Sequence, residues 1–281
     1  MLADQQAFRY LMLNKPAGCI CARTVATGRD TPTVYEHLAA AGFPTDLGHV
    51  GRLDVPTEGL LLFTDDGLLL QALTNHNPQT RDGKQPAWAT AADAEAATPR
   101  EIAKVYLCEI GGRPPTEADL ELMRQPYTYG KKGGQRPEEK RVTTLPAQVR
   151  AVSPPAPPAH AGPEGGGGGA AASDSTWVEV RIVEGRNRQV RRLCQRSRLS
   201  LRTLRRVSLG PLSLGSLPLA GVRWLTAAEV EACCRASLPG RPLPQVVTAR
   251  AEGPADAGDA DVPAAEQDGH RSAKRANLST T

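Results

Sequence analysis

Two stretches of this chain cannot contribute to a packed core, and they set the size of what can fold. Residues 153 to 175 read SPPAPPAHAGPEGGGGGAAASDS, and residues 236 to 281 are mostly Ala, Gly, Pro, Asp and Ser. Neither carries enough apolar side chains to offset the entropy of ordering it. Setting aside these 23 and 46 residues and the 7 before Phe8 leaves 205 of the 281. That length fits one large domain or two small lobes, and such a chain buries roughly 70% of its unfolded surface. The expected organisation is therefore a short tail over 1–7, one catalytic-sized unit over 8–235 interrupted by the insert at 153–175, and a disordered tail over 236–281.

Charge becomes informative once it is localised. The whole chain carries +4, but ten arginines and a single acid, Glu184, lie between Arg181 and Arg206. That segment alone holds +9, so the remainder sums to −5. Arginine's planar fork pairs bidentately with phosphate and stacks on bases, so nucleic acid is the natural partner of such a run. A solvated helix face is the alternative, although so many like charges in so short a span repel one another without an anionic partner. No apolar run approaches the roughly 18 residues of a membrane span. The opening MLADQQAFRY has no secretory or transit character. Six cysteines without a CxxC, and five histidines that do not bracket them, point to reduced thiols in an intracellular protein and to no metal site.

The pattern along the chain is mixed. FRYLMLN over 8–14 reads as a strand, and GCICAR over 18–23 can return beside it as a hairpin. Thr33 to Ala41 reads as a helix stopped by Gly42, and Thr116 to Arg124 and the segment from Thr226 to Arg235 read as helices opened by a Thr with an acid three residues on. A further helix starts at Leu68, after the Asp66-Gly67 turn. Lys104 to Ile110, Ala147 to Val152, Trp177 to Val183, Leu201 to Leu209 and Pro211 to Leu217 alternate as strands do, and Arg188 to Arg196 reads as a short basic helix. The insert falls between two strands expected to pair. Seven or eight strands with scattered short helices indicate an α+β sheet rather than a doubly wound fold.

Several chemistries lose support on inspection. Gly165 to Gly169 is not followed by Lys-Ser/Thr, and Lys131-Lys132-Gly133-Gly134 has its lysines on the wrong side for a phosphate loop. There is no G-x-S-x-G and no His-Glu-x-x-His. What remains is His49-Val50-Gly51-Arg52-Leu53-Asp54, then Val55-Pro56 and an apolar strand from Leu60. Asp54 falls on a loop, with Gly51 permitting a tight approach and Pro56 stopping regular structure. A carboxylate there is well placed to be held rigidly for chemistry; a turn-forming or capping Asp is the plainer alternative. Asp65 and Asp66 read as ordinary turn residues.

These residues carry a resemblance. Leu13-Asn14-Lys15-Pro16-x-Gly18, then Gly51-Arg52-Leu53-Asp54 with Thr57-Glu58-Gly59-Leu60-Leu61-Leu62, then Lys104-Val105-Tyr106-Leu107, then Glu184-Gly185-Arg186-Asn187-Arg188-Gln189-Val190-Arg191-Arg192 are similar, in order, to the motifs of pseudouridine synthases of the RsuA/RluB/RluE/RluF group. The stretch from Leu204 to Gly215 and Trp224-Leu225-Thr226 resemble the group's closing segments, so the likeness runs from about Phe8 to Arg235. The chain begins directly at the first motif, without the S4-type RNA-binding module many relatives carry. That feature and Thr144-Leu145-Pro146-Ala147 most resemble the RluE branch, whose members act on large-subunit ribosomal RNA. Arg188 stands where some relatives have His.

The resemblance implies a pseudouridine synthase fold, a mixed and mainly antiparallel sheet flanked by short helices with an active-site cleft across it. It implies an isomerase that converts a uridine to pseudouridine, with three catalytic residues. Asp54 would be the nucleophile, attacking the target nucleotide at base or sugar. Tyr106 would stack on the flipped uracil, and Arg186 would pair with Asp54. Without the resemblance, Tyr106 reads equally as a strand tyrosine covering the core and Arg186 as a phosphate contact. No cofactor is implied, since the base never leaves the enzyme. Arg188, Arg191, Arg192 and Arg196 on one basic helix are expected to hold RNA, with Arg52 and Lys15 at the cleft rim and the charged loop from Tyr129 to Arg141 as a further contact. The expected protein is a monomer without membrane contact, cytoplasmic, with an organelle or the nucleus left open should the source be eukaryotic. Two other readings stand beside this one: a non-catalytic RNA-binding ribosome-assembly factor using the same fold, and a synthase acting on another structured RNA.

Overall fold

The computed structural model describes residues 7–24, 31–74, 102–130, 141–155 and 175–247. Its centre is set by two apolar runs. Strand β1 (Ala7–Lys15) carries Tyr10 to Leu13, and β3 (Thr57–Thr64) carries Leu60 to Phe63; all eight side chains are buried. Alternate residues of a strand point to opposite faces, so continuous apolar runs require cover on both sides. The chain supplies it. Leu11, Leu13, Leu61 and Phe63 pack on one face with helix α1 (Val34–Ala40), while Tyr10, Met12, Leu60 and Leu62 pack on the other with helix α2 (Gly67–Thr74).

The other elements follow in order. Strand β2 (Gly48–His49) precedes β3; β4 (Lys104–Gly111) is followed by helix α3 (Glu117–Arg124) and the strands β5 (Thr128–Gly130), β6 (Arg141–Thr143), β7 (Gln148–Val152) and β8 (Ser175–Ile182). Helix α4 (Gln189–Arg196), strands β9 (Ser200–Leu209), β10 (Leu212–Ser213) and β11 (Val222–Trp224), helix α5 (Ala227–Ser237) and strand β12 (Gln245–Val247) complete the described chain. Ten strands form one sheet along the path β11-β1-β3-β9-β4-β8-β7, with β10, β12 and β2 paired to its members, and β5 with β6 forms a separate pair. Pairing is antiparallel except for β3 with β9 and β1 with β12. The α+β, mainly antiparallel expectation holds.

Local signals set the helix ends. Thr33, Thr116 and Thr226 each accept from the backbone three residues on, where Glu36, Asp119 and Glu229 reach back to complete a capping box. Asp66 is more than a turn residue. Its buried carboxylate accepts from the Leu69 amide, from the Tyr10 hydroxyl at 2.8 Å and from Arg241 at 2.8 Å.

Three expectations are corrected. The hairpin of 8–14 with 18–23 does not form: β1 pairs with β3, β11 and β12, and the 18–23 segment makes only a bridge from Ile20 to Thr33. Pairing with the eight-residue β3 on one edge and with the short β11 and β12 on the other places β1 inside the sheet, where its apolar run is covered on both faces. The strand expected over 211–217 shrinks to Leu212 and Ser213. The ordered unit also continues past Arg235, since Leu238 is buried in the second core, Arg241 binds Asp66, and Gln245 to Val247 pair with Ala7 to Arg9. By contrast, β7 and β8 do pair, Val152 opposite Trp177, so the insert departs from and returns to one hairpin. Residues 156–174 of the insert, 131–140 of the charged loop, 1–6 and 248–281 lie outside the described residues. Among the described residues, no helix is long and apolar enough to cross a membrane.

Candidate active site

Asp54 sits on a loop tied down along its whole length. Gly51 turns the chain at φ +67°, and its carbonyl meets His49 Nδ1 at 2.7 Å. The Leu53 amide points to Cys21 Sγ at 3.4 Å, and the Thr57 amide donates to the Asp54 carbonyl at 3.0 Å. The strongest tie is Lys15, expected at the RNA-facing rim. It is 0% exposed, and its ammonium donates to the carbonyls of Pro16, Asp54, Val55 and Thr57 at 2.9 to 3.3 Å. A buried ammonium needs acceptors on every side, and this loop supplies four; Lys15 therefore positions the Asp54 loop instead of meeting RNA. Arg52 is exposed and lines the cavity, as a rim residue should.

Asp54, with a third of its side chain exposed, opens into a cavity of about 410 Å³. Its far wall comes from the sheet. Lys104 and Tyr106 on β4, and Arg206 on β9, line it. The two strands are neighbours, with Tyr106 opposite Arg206 in register. Gly59 makes this possible. It sits at φ +106° directly against the Arg206 backbone, where a Cβ would overlap the Arg206 carbonyl. Arg206 is 2% exposed, its Nε donates to the Leu60 carbonyl at 2.8 Å, and its buried Nη2 has no hydrogen-bond partner. Burial, with the Arg206 charge adding to it, pulls the Lys104 ammonium down to about 7 against the upward pull of Glu184.

The arginine segment is organised by its one acid. Buried Glu184 accepts from the Leu145 amide at 2.6 Å, from Gln189 Nε2 at 2.8 Å and from Arg186 Nε at 2.8 Å. Arg186 lines the cavity, yet its ion pair is with Glu184 and not with Asp54 as expected. Glu184 lies two residues away in sequence, where Arg186 Nε reaches its carboxylate at 2.8 Å. The cations nearest the Asp54 carboxylate are Arg188 Nη1 at 3.6 Å and Arg191 Nε at 3.8 Å. Arg191 is further held by donating to the Pro56 carbonyl and Thr57 Oγ1, at 2.8 and 3.0 Å. Burial lowers its pKa, and the Arg188 charge lowers it further.

The expected single RNA-binding face on α4 divides in two. Arg191 turns to Asp54. Arg192 lies over the Tyr129 ring at 4.3 Å, and Arg196 lies 5.9 Å from the Tyr127 ring and donates to the Leu122 and Gln125 carbonyls. Adjacent helix residues point about 100° apart, which separates 191 from 192, whereas 192 and 196 share a stripe; Arg188, in a left-handed conformation just before the helix, joins Arg191 at Asp54. Sequence reasoning missed Lys104, Arg206 and Glu184. Glu184 had a readable signal as the lone acid among ten arginines; the other two had none, because a basic residue in a strand does not announce which way it faces.

Among the described residues, no group of three or more His, Cys, Asp or Glu side chains is gathered so as to hold a metal ion. The six cysteines are all buried and free. The arrangement is one carboxylate flanked by cations at the mouth of a cavity, facing an aromatic ring and a buried guanidinium. It suits a nucleophile acting on an acceptor-rich, flat, anionic substrate.

Comparison with known proteins agrees with this geometry. The family model described as RNA pseudouridylate synthase matches residues 9–196. The ribosomal large subunit pseudouridine synthase E of Xanthomonas campestris pv. campestris is 32% identical over 207 residues, covering 74% of this chain and 90% of the relative. That of Vibrio parahaemolyticus is 30% identical, covering 76% of this chain and 72% of the relative. A solved structure described as "Crystal structure of pseudouridylate synthase" superposes with a TM-score of 0.50 at 26% identity, covering 80% of this chain and 74% of that one.

Proposed function

This chain belongs to the RNA pseudouridylate synthase family, and from that premise we propose that it isomerises one uridine of large-subunit ribosomal RNA to pseudouridine. The ribosomal substrate rests on the relatives' names. The catalytic roles rest on one observation, the Asp54 carboxylate at the mouth of the cavity between Arg188 and Arg191, facing Tyr106.

A uridine within structured RNA must be extruded before its base can be reached, at a cost of a few kcal/mol. Phosphate contacts with Arg52, Arg186 and Arg188 and stacking on Tyr106 offset that cost. Asp54 then attacks the nucleotide and forms a covalent adduct, and the bond from N1 to the ribose C1′ breaks. The uracil stays in the cavity, turns, and rejoins C1′ through C5. The proton displaced from C5 leaves near the Tyr106 hydroxyl, the freed N1 takes up one proton, and release of Asp54 completes the cycle. Atoms balance without a co-reactant, so no cofactor is called for. Arg191 and Arg188 orient the carboxylate and offset its charge as the RNA backbone approaches. On the same reading the protein is a monomer acting in the cytoplasm.

The test is to map pseudouridines in total RNA from cells lacking the protein, supplied with wild type or with Asp54→Ala. Wild type is expected to restore a site in large-subunit RNA that Asp54→Ala does not, with activity lower by at least ~10³-fold. Equal restoration by both would remove Asp54 from the chemistry.

A further inference from the structure

We propose that a groove beside the active-site cavity, between α4 and the start of β9, is a second nucleotide subsite that takes the residue adjoining the flipped uridine. The proposal rests on the RNA-modifying reading above and deepens it. The groove has a volume of about 310 Å³, near the lower end of the ~300–1,000 Å³ usual for ligand pockets. Leu199 and Leu201 line it together with Arg188, Arg192 and Gln195, and its lining is more polar than apolar. Arg188 and Arg191 line this groove and the Asp54 cavity alike, so the two recesses share a wall of two guanidinium groups.

The chemistry of that lining selects its occupant. Every charged residue in it is an arginine, and the half-buried Leu201 lies beside them. An anionic group carrying a flat base fits cations beside a small apolar surface, and a nucleotide is such a group. Extruding a uridine also strips its neighbour of a stacking partner, so that neighbour's base gains most from a new apolar surface close by. The rim is ordered before the ligand arrives. Arg192 is held over Tyr129 at 4.3 Å, and its Nε donates to the Asn187 carbonyl at 3.2 Å. Arg188 adopts a left-handed backbone at φ 53°, a conformation disfavoured for a residue with a Cβ. It presents its guanidinium 3.6 Å from Asp54 at the boundary of the two recesses. Arg191, on the shared wall, keeps its Nε 3.8 Å from the Asp54 carboxylate. A pre-ordered cation loses less entropy on meeting phosphate than a free surface arginine.

The test compares uridine monophosphate with the trinucleotide UpUpU by calorimetric titration of the full-length protein. Wild type is expected to bind UpUpU at least about tenfold more tightly than the mononucleotide, the scale of one stacked base. Gln195 is exposed, so Gln195→Trp fills the groove without entering the core. It should reduce that advantage to about threefold or less and leave the mononucleotide affinity as in wild type. Arg192→Ala removes the rim cation without adding bulk, and it decides the matter if Gln195→Trp does not fold; it should weaken UpUpU alone, by about threefold or more. An unchanged UpUpU advantage in both variants overturns the subsite. So does a wild type that does not distinguish the two ligands, or a hexaglutamate peptide that competes as well as UpUpU, which would mark a surface reading charge alone. Failure of the pseudouridine mapping would remove the proposed reaction while this titration still reported on the groove.

Discussion

The Asp54 loop and the arginine segment from Arg186 to Arg196 face each other across one cavity, and they are held in opposite ways. The loop is fixed by backbone groups and by a lysine that has no exposure at all. The segment is fixed through side chains, by the Glu184 carboxylate and the Tyr127 and Tyr129 rings. Basic residues therefore do two jobs here. Lys15 gives up solvent to satisfy carbonyls and sets the position of the nucleophile, whereas Arg188, half exposed, keeps its charge available to a substrate. Charge on its own does not distinguish the two; what surrounds the charge does.

The sharpest way to break that contrast is Lys15→Met. Four inward carbonyls lose the ammonium, although those of Asp54 and Val55 keep the Thr57 and Gly18 amides, and the expected loss is about 2–4 kcal/mol, read as a fall of about 5–10 °C in thermal unfolding by circular dichroism. If Lys15 contacted RNA instead, stability would hold and RNA affinity would fall.

Lys104 offers a pH test on the sheet side of the cavity. Its folded pKa of about 7 lies below the unfolded value near 10.4, so between these limits the unfolded chain binds more protons. Stability should therefore rise with pH through this window, by on the order of 3 kcal/mol between pH 7 and 9 from this group alone, with the full cost present below 7. Denaturant titrations at several pH values should show that rise in wild type and not in Lys104→Met.

Gly59→Ala attacks the contact that seats Arg206. A Cβ at φ +106° against the Arg206 backbone is expected to cost ~2 kcal/mol and to push β9 away from β3, measurable as a lower urea midpoint. The finest comparison lies within the arginine segment itself. Arg191→Ala should lower kcat/KM on the mapped RNA by roughly tenfold more than Arg186→Ala, because Arg191 and not Arg186 stands beside the carboxylate. Equal losses would restore the pairing read from the motif.

Much of this architecture is legible along the chain because its causes are local. Each Thr-x-x-acid box closes over four residues, and the strand on either side of the insert alternates by itself. The hairpin expected for β1 failed for the converse reason: its partners are 44 and more residues away. The second core likewise reaches beyond Arg235 through Leu238 and Arg241, single residues in a segment whose composition reads as disordered. In the site, Asp54, Tyr106 and Arg52 line one cavity, while Lys15 and Arg186 carry other bonds than their motifs imply.

The amino-acid order alone determined the caps, the two-sided apolar strands, the excursion at 153–175, the concentration of +9 between Arg181 and Arg206, and the carboxylate that stands apart from them. Only the tertiary structure decided which cation serves which anion. Propensity and capping act over a few residues, but an ion pair depends on distance and burial, and both are set when strands far apart in sequence are brought side by side. Glu184 took Arg186, Asp54 was left between Arg188 and Arg191, and Lys15 went inside.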